Sequence, residues 1–326
     1  MALSIEQQLT EEFKHDSRRS PSGLDNRITA EYRQQVMQQR GVSFMSRKRK
    51  KSVYLLTALI VVMLCGFGYA GSRLLYSYEG KLSVSNRTEQ QLQFKQEDVV
   101  KIRGELEKVK AQLVPGESAV VYLRDFDLTI GETSIIYGIN NPVKVPVEEW
   151  RTLLQQQGVQ EKLPDTLLGA YSLEEGMEAS PFQVALGIGA SSIFDELKTE
   201  GTASGSEMLW RLTDTANDFM DTYTSVYRNA SHDTIYVTWQ IAGEDVSPAI
   251  LQLSPPGITA EDAAIGGLTA HYLKNDQSLF GQSSIHQDVT WISEAGDQGI
   301  AYHVQTDSAA VTKEQLIEAA ESLVQK

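Results

Sequence analysis

Any chemistry in this 326-residue chain has to come from five histidines, one cysteine and a few paired carboxylates. His232, His271, His286 and His303 are widely spaced, and none stands in an HExxH pair or at another ligand spacing on a helix turn. His271 and His303 alternate with apolar neighbours in TAHYL and AYHVQ, a pattern that predicts imidazoles on the solvent face of strands. Asp125 and Asp127 in RDFD fall on one face of an extended segment. Paired carboxylates serve acid–base catalysis or calcium binding, but an isolated pair is ordinarily a solvated surface. GIGASS, residues 187–192, lacks the Lys-Ser/Thr ending of a phosphate loop. GTASGSE reads as a flexible loop, and its Ser204 is not in a G-x-S-x-G elbow. Cys65 stands alone, which excludes an intrachain disulfide and a multi-cysteine metal site. No catalytic, cofactor or metal site is predicted, so the chain reads as a non-enzyme with no cofactor; a constellation built from distant residues would escape this reading. An exported hydrolase would need such a Ser, His or Asp cluster in the folded body.

The elements that would carry these residues are organised by charge and hydropathy. Charged residues are 22% and hydrophobic residues 41%, a globular mixture. Residues 1–52 hold 11 Lys/Arg and 6 Asp/Glu, net +5, which leaves 18 and 37, net −19, for the rest. That acidic body repels a phosphate backbone and argues against nucleic acid as a partner. Residues 53–72 carry no formal charge. As a helix those 20 residues would span roughly 30 Å, a bilayer's hydrocarbon core, which predicts a single transmembrane helix with the lipid bilayer as its environment. Arg47, Lys48, Arg49, Lys50 and Lys51 precede it and set its orientation: the cationic flank stays cytoplasmic, so the C-terminal body is expected outside the cell membrane. Translation from Met45 would instead make this a secretory signal with Ala70 at the cleavage site.

Upstream, residues 1–46 show Ile5, Leu9 and Phe13, then Ile28, Tyr32 and Val36, each set at i, i+4, i+8. Two short amphipathic helices are expected, to be docked on a cytoplasmic partner or left as a disordered tail. Downstream, residues 73–116 place Leu92, Val99, Ile102, Leu106, Val109 and Leu113 on one seam. The spacing from Val99 is heptad-like and fits a coiled-coil stalk that makes a homodimer, or a lone helix laid on the body. Residues 117–326 form that body. SAVVYLRDFDLTI predicts a strand, VEEWRTLLQQQG a helix, and SEMLWRLTDTANDFMDTY a longer helix with Leu209, Leu212, Ala216, Phe219 and Tyr223 in one stripe. TIYVTWQI, AILQL, GLTAHYL, DVTWIS and IAYHVQ predict strands, the last two joined by a glycine-containing hairpin, and Thr312 with Gln315 forms a capping box for a final helix. The predicted fold class is α+β: an antiparallel meander sheet with packed helices, plus the single transmembrane helix.

VTWISEAGDQGIAYHVQ followed by TKEQLIEAAESL resembles, over residues 234–326, the C-terminal domain of unknown function 4367 (DUF4367) of membrane-anchored bacterial proteins, and LPDTLLGAYSL, residues 163–173, resembles that family's N-terminal edge. PSGLDNRITAEYRQQV before a basic-flanked apolar run resembles the tails of anti-sigma-factor-like proteins. The zinc subclass is excluded, because this tail has His15 and no cysteine. The resemblance implies a membrane regulator in signal transduction, its tail holding a sigma factor and its outer domain sensing. The alternative is a membrane-anchored domain that binds an envelope lipid or wall polymer.

Overall fold

The computed structural model describes residues 59–63, 73–78, 82–130, 133–159, 163–182, 184, 186, 189–213, 220–242, 249–255, 258–295 and 298–324. The chain divides into two units, Met1–Tyr54 and Leu55–Lys326, and every described residue belongs to the second. Its elements in chain order are β1 (Leu59–Met63), β2 (Arg73–Tyr78), β3 (Leu82–Thr88), α1 (Gln96–Lys110), β4 (Glu117–Leu123), β5 (Thr129–Ile130), β6 (Thr133–Ser134), β7 (Tyr137–Asn141), β8 (Lys144–Pro146), α2 (Val147–Gln156), β9 (Thr166–Leu167), β10 (Tyr171–Met177), α3 (Ala190–Ser204), β11 (Met208–Thr213), β12 (Met220–Arg228), β13 (Thr234–Ala242), β14 (Ala249–Ser254), β15 (Thr259–Ile265), β16 (Leu268–Asn275), β17 (His286–Ala295), β18 (Gln298–Thr306) and α4 (Lys313–Val324).

The centre is a nine-stranded antiparallel sheet in the order β15-β16-β17-β18-β13-β12-β10-β8, with β9 also paired to β10. Alternation along each strand gives it two faces. The first face carries Tyr223, Tyr227, Ile235, Val237, Trp239, Ile241, Val289, Trp291, Tyr302 and Val304, packed with Trp150 and Leu154 of α2 and with Leu316, Ala319 and Ala320 of α4. The capping box at the start of α4 is present: the Thr312 N–H donates to Gln315 Oε1 at 2.9 Å, and the Gln315 N–H to Thr312 Oγ1 at 3.3 Å. The second face brings Val226 and Tyr236 into a different core, shared with Phe182, Leu279, Phe280 and the apolar stripe of α1.

That stripe is Val99, Ile102, Leu106 and Val109, with Leu92 and Leu113 on the same seam, and all six are buried. They pack on Ala119, Val121 and Leu123 of β4, the middle strand of the sheet β11-β4-β7. The alternate residues Val120 and Tyr122 face α3, where Gly201 lets the helix approach: a Cβ there would lie 2.5 Å from the Tyr122 ring. The heptad-like seam is thus consumed inside the body, which corrects the expected homodimer through the stalk. A side chain already buried in its own fold has no apolar surface left for a partner helix.

Three further expectations are corrected. Within the expected transmembrane helix over residues 53–72, Leu59–Met63 is a strand, paired in parallel with Ala249–Leu253 of β14. LIVVM is rich in β-branched residues, and a short apolar run by itself does not separate a buried strand from a helix. Among the described residues no helix is long and apolar enough to cross a membrane, so the single-pass topology, the cytoplasmic N-terminus, the membrane location and the bilayer as partner are not supported. The flank Arg47 to Lys51 lies outside the described residues. The helix expected over SEMLWRLTDTANDFMDTY is instead β11 and the start of β12, because Met208–Thr213 pairs residue for residue with β4. Tertiary pairing overrides a helical period over so short a run. Finally, Gly201–Ser204 of the expected GTASGSE loop ends α3, with Gly205 in the left-handed C-cap at φ 72.

Trp150 fixes α2 to the sheet. Its indole Nε1 donates to the buried Ser225 Oγ at 2.7 Å, and its ring lies over Gly176, where a Cβ would stand 1.9 Å from the indole. Gly176→Ala is expected to cost about 1–3 kcal/mol in urea unfolding, as overpacking does. In a Trp150→Ala background the same change should cost little, a coupling that a double-mutant cycle reads directly.

Candidate functional site

The polar residues with chemical potential converge on the second face of the sheet. The β17–β18 register fixes which of them meet. The ladder closes at Ala295 opposite Gln298, a two-residue connection, and running it back sets Thr290 opposite His303 and Asp288 opposite Gln305. β13 adds Thr238 beside His303, and β16 adds His271 beside Thr290. The result is a continuous polar layer through the middle of the fold.

His303 is its hub. Its Nδ1 lies 2.9 Å from Asp288 Oδ2 and 3.0 Å from Thr290 Oγ1, while its Nε2 lies 3.2 Å from the side-chain oxygen of Gln240. The Gln305 amide donates through Nε2 to Asp288 Oδ2 at 3.2 Å, and its Oε1 accepts from Thr238 Oγ1 at 3.3 Å. Thr238 and Thr224 share a hydrogen bond of 2.9 Å, and Thr224 donates to the Ala179 carbonyl at 2.7 Å. His303 is 1% exposed, Asp288 3% and Thr290 0%. The expectation of solvent-facing His271 and His303 is corrected here, since both are buried: the second face is covered, so alternation no longer sorts polar residues to water. His271 reaches the carboxylate of Asp262 on β15 at 3.0 Å.

His286 lies on the same face at the start of β17, 1% exposed and against the Phe182 ring, the centroids 4.3 Å apart and the planes tilted by 34°. Gln305 Nε2 lies 3.3 Å from its Nε2. Burial, with the neighbouring His303 adding to it and Asp288 opposing, pushes its pKa down to about 4. The turn between β16 and β17 is pinned from two sides. Arg103 of α1 donates to the carbonyls of Ser278, Phe280 and Gly281 at 3.0, 3.0 and 2.8 Å. Asp307 Oδ2 accepts from the Gln282 N–H at 2.7 Å, and burial raises the pKa of that carboxyl.

The other residues singled out by sequence are placed elsewhere. Asp125 and Asp127 sit in and just after a single 3-10 turn, Arg124–Phe126, rather than on one strand face. Asp125 pairs with Lys101 at 2.7 Å and Asp127 with Lys198 at 2.7 Å. Gly189 is the N-cap residue of α3. Ile5, Leu9, Phe13, Ile28, Tyr32 and Val36 lie outside the described residues. Asp288, Thr290, Gln240, Gln305 and Arg103 went unnoticed. For the first, second and fourth the signal was present: the hairpin connection already pairs the polar residues of DVTWIS with those of YHVQ. Among the described residues no group of three His, Cys, Asp or Glu could hold a metal ion.

No family model matches this sequence, and no curated protein or solved structure matches it. The resemblance to the domain of unknown function 4367 and to anti-sigma-factor-like proteins is therefore corrected. Short strand and helix motifs such as VTWIS and AAESL describe any well-packed antiparallel hairpin followed by a capped helix. The sigma-factor partner and the membrane signalling role that the resemblance implied have no support. What fold and site define is an α+β protein whose antiparallel sheet is covered on both faces, with a polar layer on one of them.

The depressed pKa of His286 makes stability depend on pH. The unfolded imidazole takes up a proton below its ordinary pKa of 6.5, and the folded one only near 4. Between those values the unfolded state holds more protons, so this contribution is complete above pH 6.5 and is lost as pH falls towards 4. The protein is expected to be about 2 kcal/mol less stable at pH 5 than at pH 7 from this group. Asp307, whose carboxyl is raised, acts in the opposite sense at lower pH. The check is therefore the urea midpoint of wild type minus that of His286→Phe, a signed difference that should fall on going from pH 7 to pH 5.

Proposed function

We propose that this chain is a non-catalytic binding protein, with its double-covered sheet as a rigid platform and its surface as the working part. The observation that carries this is the wiring of His303. In a nucleophilic triad the carboxylate holds one imidazole nitrogen and the nucleophile engages the other. Here Asp288 and Thr290 both approach Nδ1, and Nε2 faces the Gln240 amide, which is no nucleophile. Every member of the unit is buried, so the geometry favours internal ties over substrate chemistry. The net charge of −14 favours a cationic partner surface through long-range attraction.

Diethyl pyrocarbonate labelling followed by peptide mass spectrometry tests the reading. The exposed His232 should be modified in the folded protein, while His303 and His286 should react only after unfolding. Modification of His303 in the native state as fast as His232 would put that ring within reach of small molecules and restore the enzymatic reading.

A further inference from the structure

Three buried polar atoms on the second face have no hydrogen-bond partner: Asn275 Nδ2, His286 Nδ1 and Asp288 Oδ1. They belong to one small region. Asn275 of β16 is directly opposite His286 of β17, and directly opposed residues of an antiparallel pair share a face. Asp288 is two residues further along β17, on that same face. Asn275 is 2% exposed, His286 1% and Asp288 3%, so bulk water does not satisfy them. Leaving such groups unmet costs about 1–3 kcal/mol each.

The hydrogen bonds already made fix the direction and the sense of each orphan. Gln305, on β18, gives its Nε2 hydrogens to Asp288 Oδ2 and to His286 Nε2. Because a carboxylate only accepts, the amide orientation is set, and His286 Nε2 must be an acceptor. In the neutral ring the hydrogen then sits on Nδ1, which makes Nδ1 an unused donor. The two nitrogens of an imidazole point to different sides, so with Nε2 engaged by Gln305 of β18, Nδ1 is directed away from that amide. Asp288 Oδ2 is likewise committed to His303 and Gln305 on β18, which leaves Oδ1 as an unused acceptor. Asn275 Oδ1 is taken by the Gln277 N–H at 2.8 Å, which leaves its amide hydrogens unused.

We propose that Asn275, His286 and Asp288, on one face of the paired strands β16 and β17, form a binding site for one internal water molecule. Its oxygen accepts from Asn275 Nδ2–H and His286 Nδ1–H, and one of its hydrogens goes to Asp288 Oδ1. Three hydrogen bonds are the usual complement of a buried water. The donor set selects the ligand. Two N–H donors repel a metal cation, the Asp288 carboxylate repels an anion, and a neutral molecule that both accepts and donates satisfies all three. The water joins the His303 network to the start of the turn that Arg103 and Asp307 pin, because Asn275 holds both.

Oxygen-17 magnetic relaxation dispersion on the full chain counts long-lived internal waters. The double variant Asn275→Leu, His286→Phe keeps the size of both side chains and removes both donors. Its dispersion amplitude should fall by one water relative to wild type, and an unchanged amplitude would overturn the assignment. Should the double variant fail to fold, a wild-type crystal structure that resolves ordered solvent decides. A peak within hydrogen-bond distance of all three atoms supports the site; direct pairing of the three with one another, or no peak among them, removes it.

Discussion

The constraint on which this structure depends is that its central sheet is covered on both faces. Strands β13, β17 and β18 are buried along nearly their whole described length, so side chains of either parity leave water on folding. On the first face the solution is apolar: tryptophans and tyrosines interlock beneath α2 and α4, with Trp291 stacked on Tyr302 at 5.0 Å. On the second face the sequence places Asp, His, Thr and Gln, which must satisfy one another, because each unmet group would cost about as much as a hydrogen bond is worth. The Asp288–His303–Gln305 layer is the answer to that requirement. Removing any one member would leave its neighbours buried without partners, so the layer stands or falls as a unit.

The second core follows from the same geometry. α1 carries a narrow apolar stripe and needs two surfaces to cover it. β4 and β7 supply one, and the apolar end of the second face, Val226 and Tyr236 with Phe182, supplies the other. Arg103 lies on this helix between the stripe and solvent, and its guanidinium caps three carbonyls of the β16–β17 turn. Burial lowers the pKa of that guanidinium, yet it remains the fixed charge that ties helix to sheet. The turn is therefore held by one cation from α1 and one carboxyl group, Asp307, just past the end of β18.

Much of the fold was legible in the sequence. The period-two runs TIYVTWQI, AILQL, GLTAHYL, DVTWIS and IAYHVQ are strands β13, β14, β16, β17 and β18, and the capped final helix lies where Thr312 and Gln315 placed it. The antiparallel α+β character is consistent with these patterns. What failed did so for want of knowledge about neighbours. A heptad-like seam shows that a helix needs covering, not whether its own sheet or a second chain covers it. LIVVM shows an apolar run, not whether it is helix or strand. The stripe drawn through Leu209, Leu212 and Tyr223 joined residues of two separate strands. Alternation around His303 reported a face correctly and its environment wrongly, because exposure is decided by what packs above the sheet.

A buried interior layer and an exposed polar site differ in how their backbone opens. Native-state hydrogen exchange on the amides of Thr238, Thr290 and His303 measures that difference most directly. If the polar layer is interior and integral to the sheet, these amides exchange only through global unfolding, with protection equal to the largest in the protein and falling with denaturant along the global slope. Exchange through a low-energy local opening, insensitive to denaturant, would show the second face to be accessible and would contradict the account.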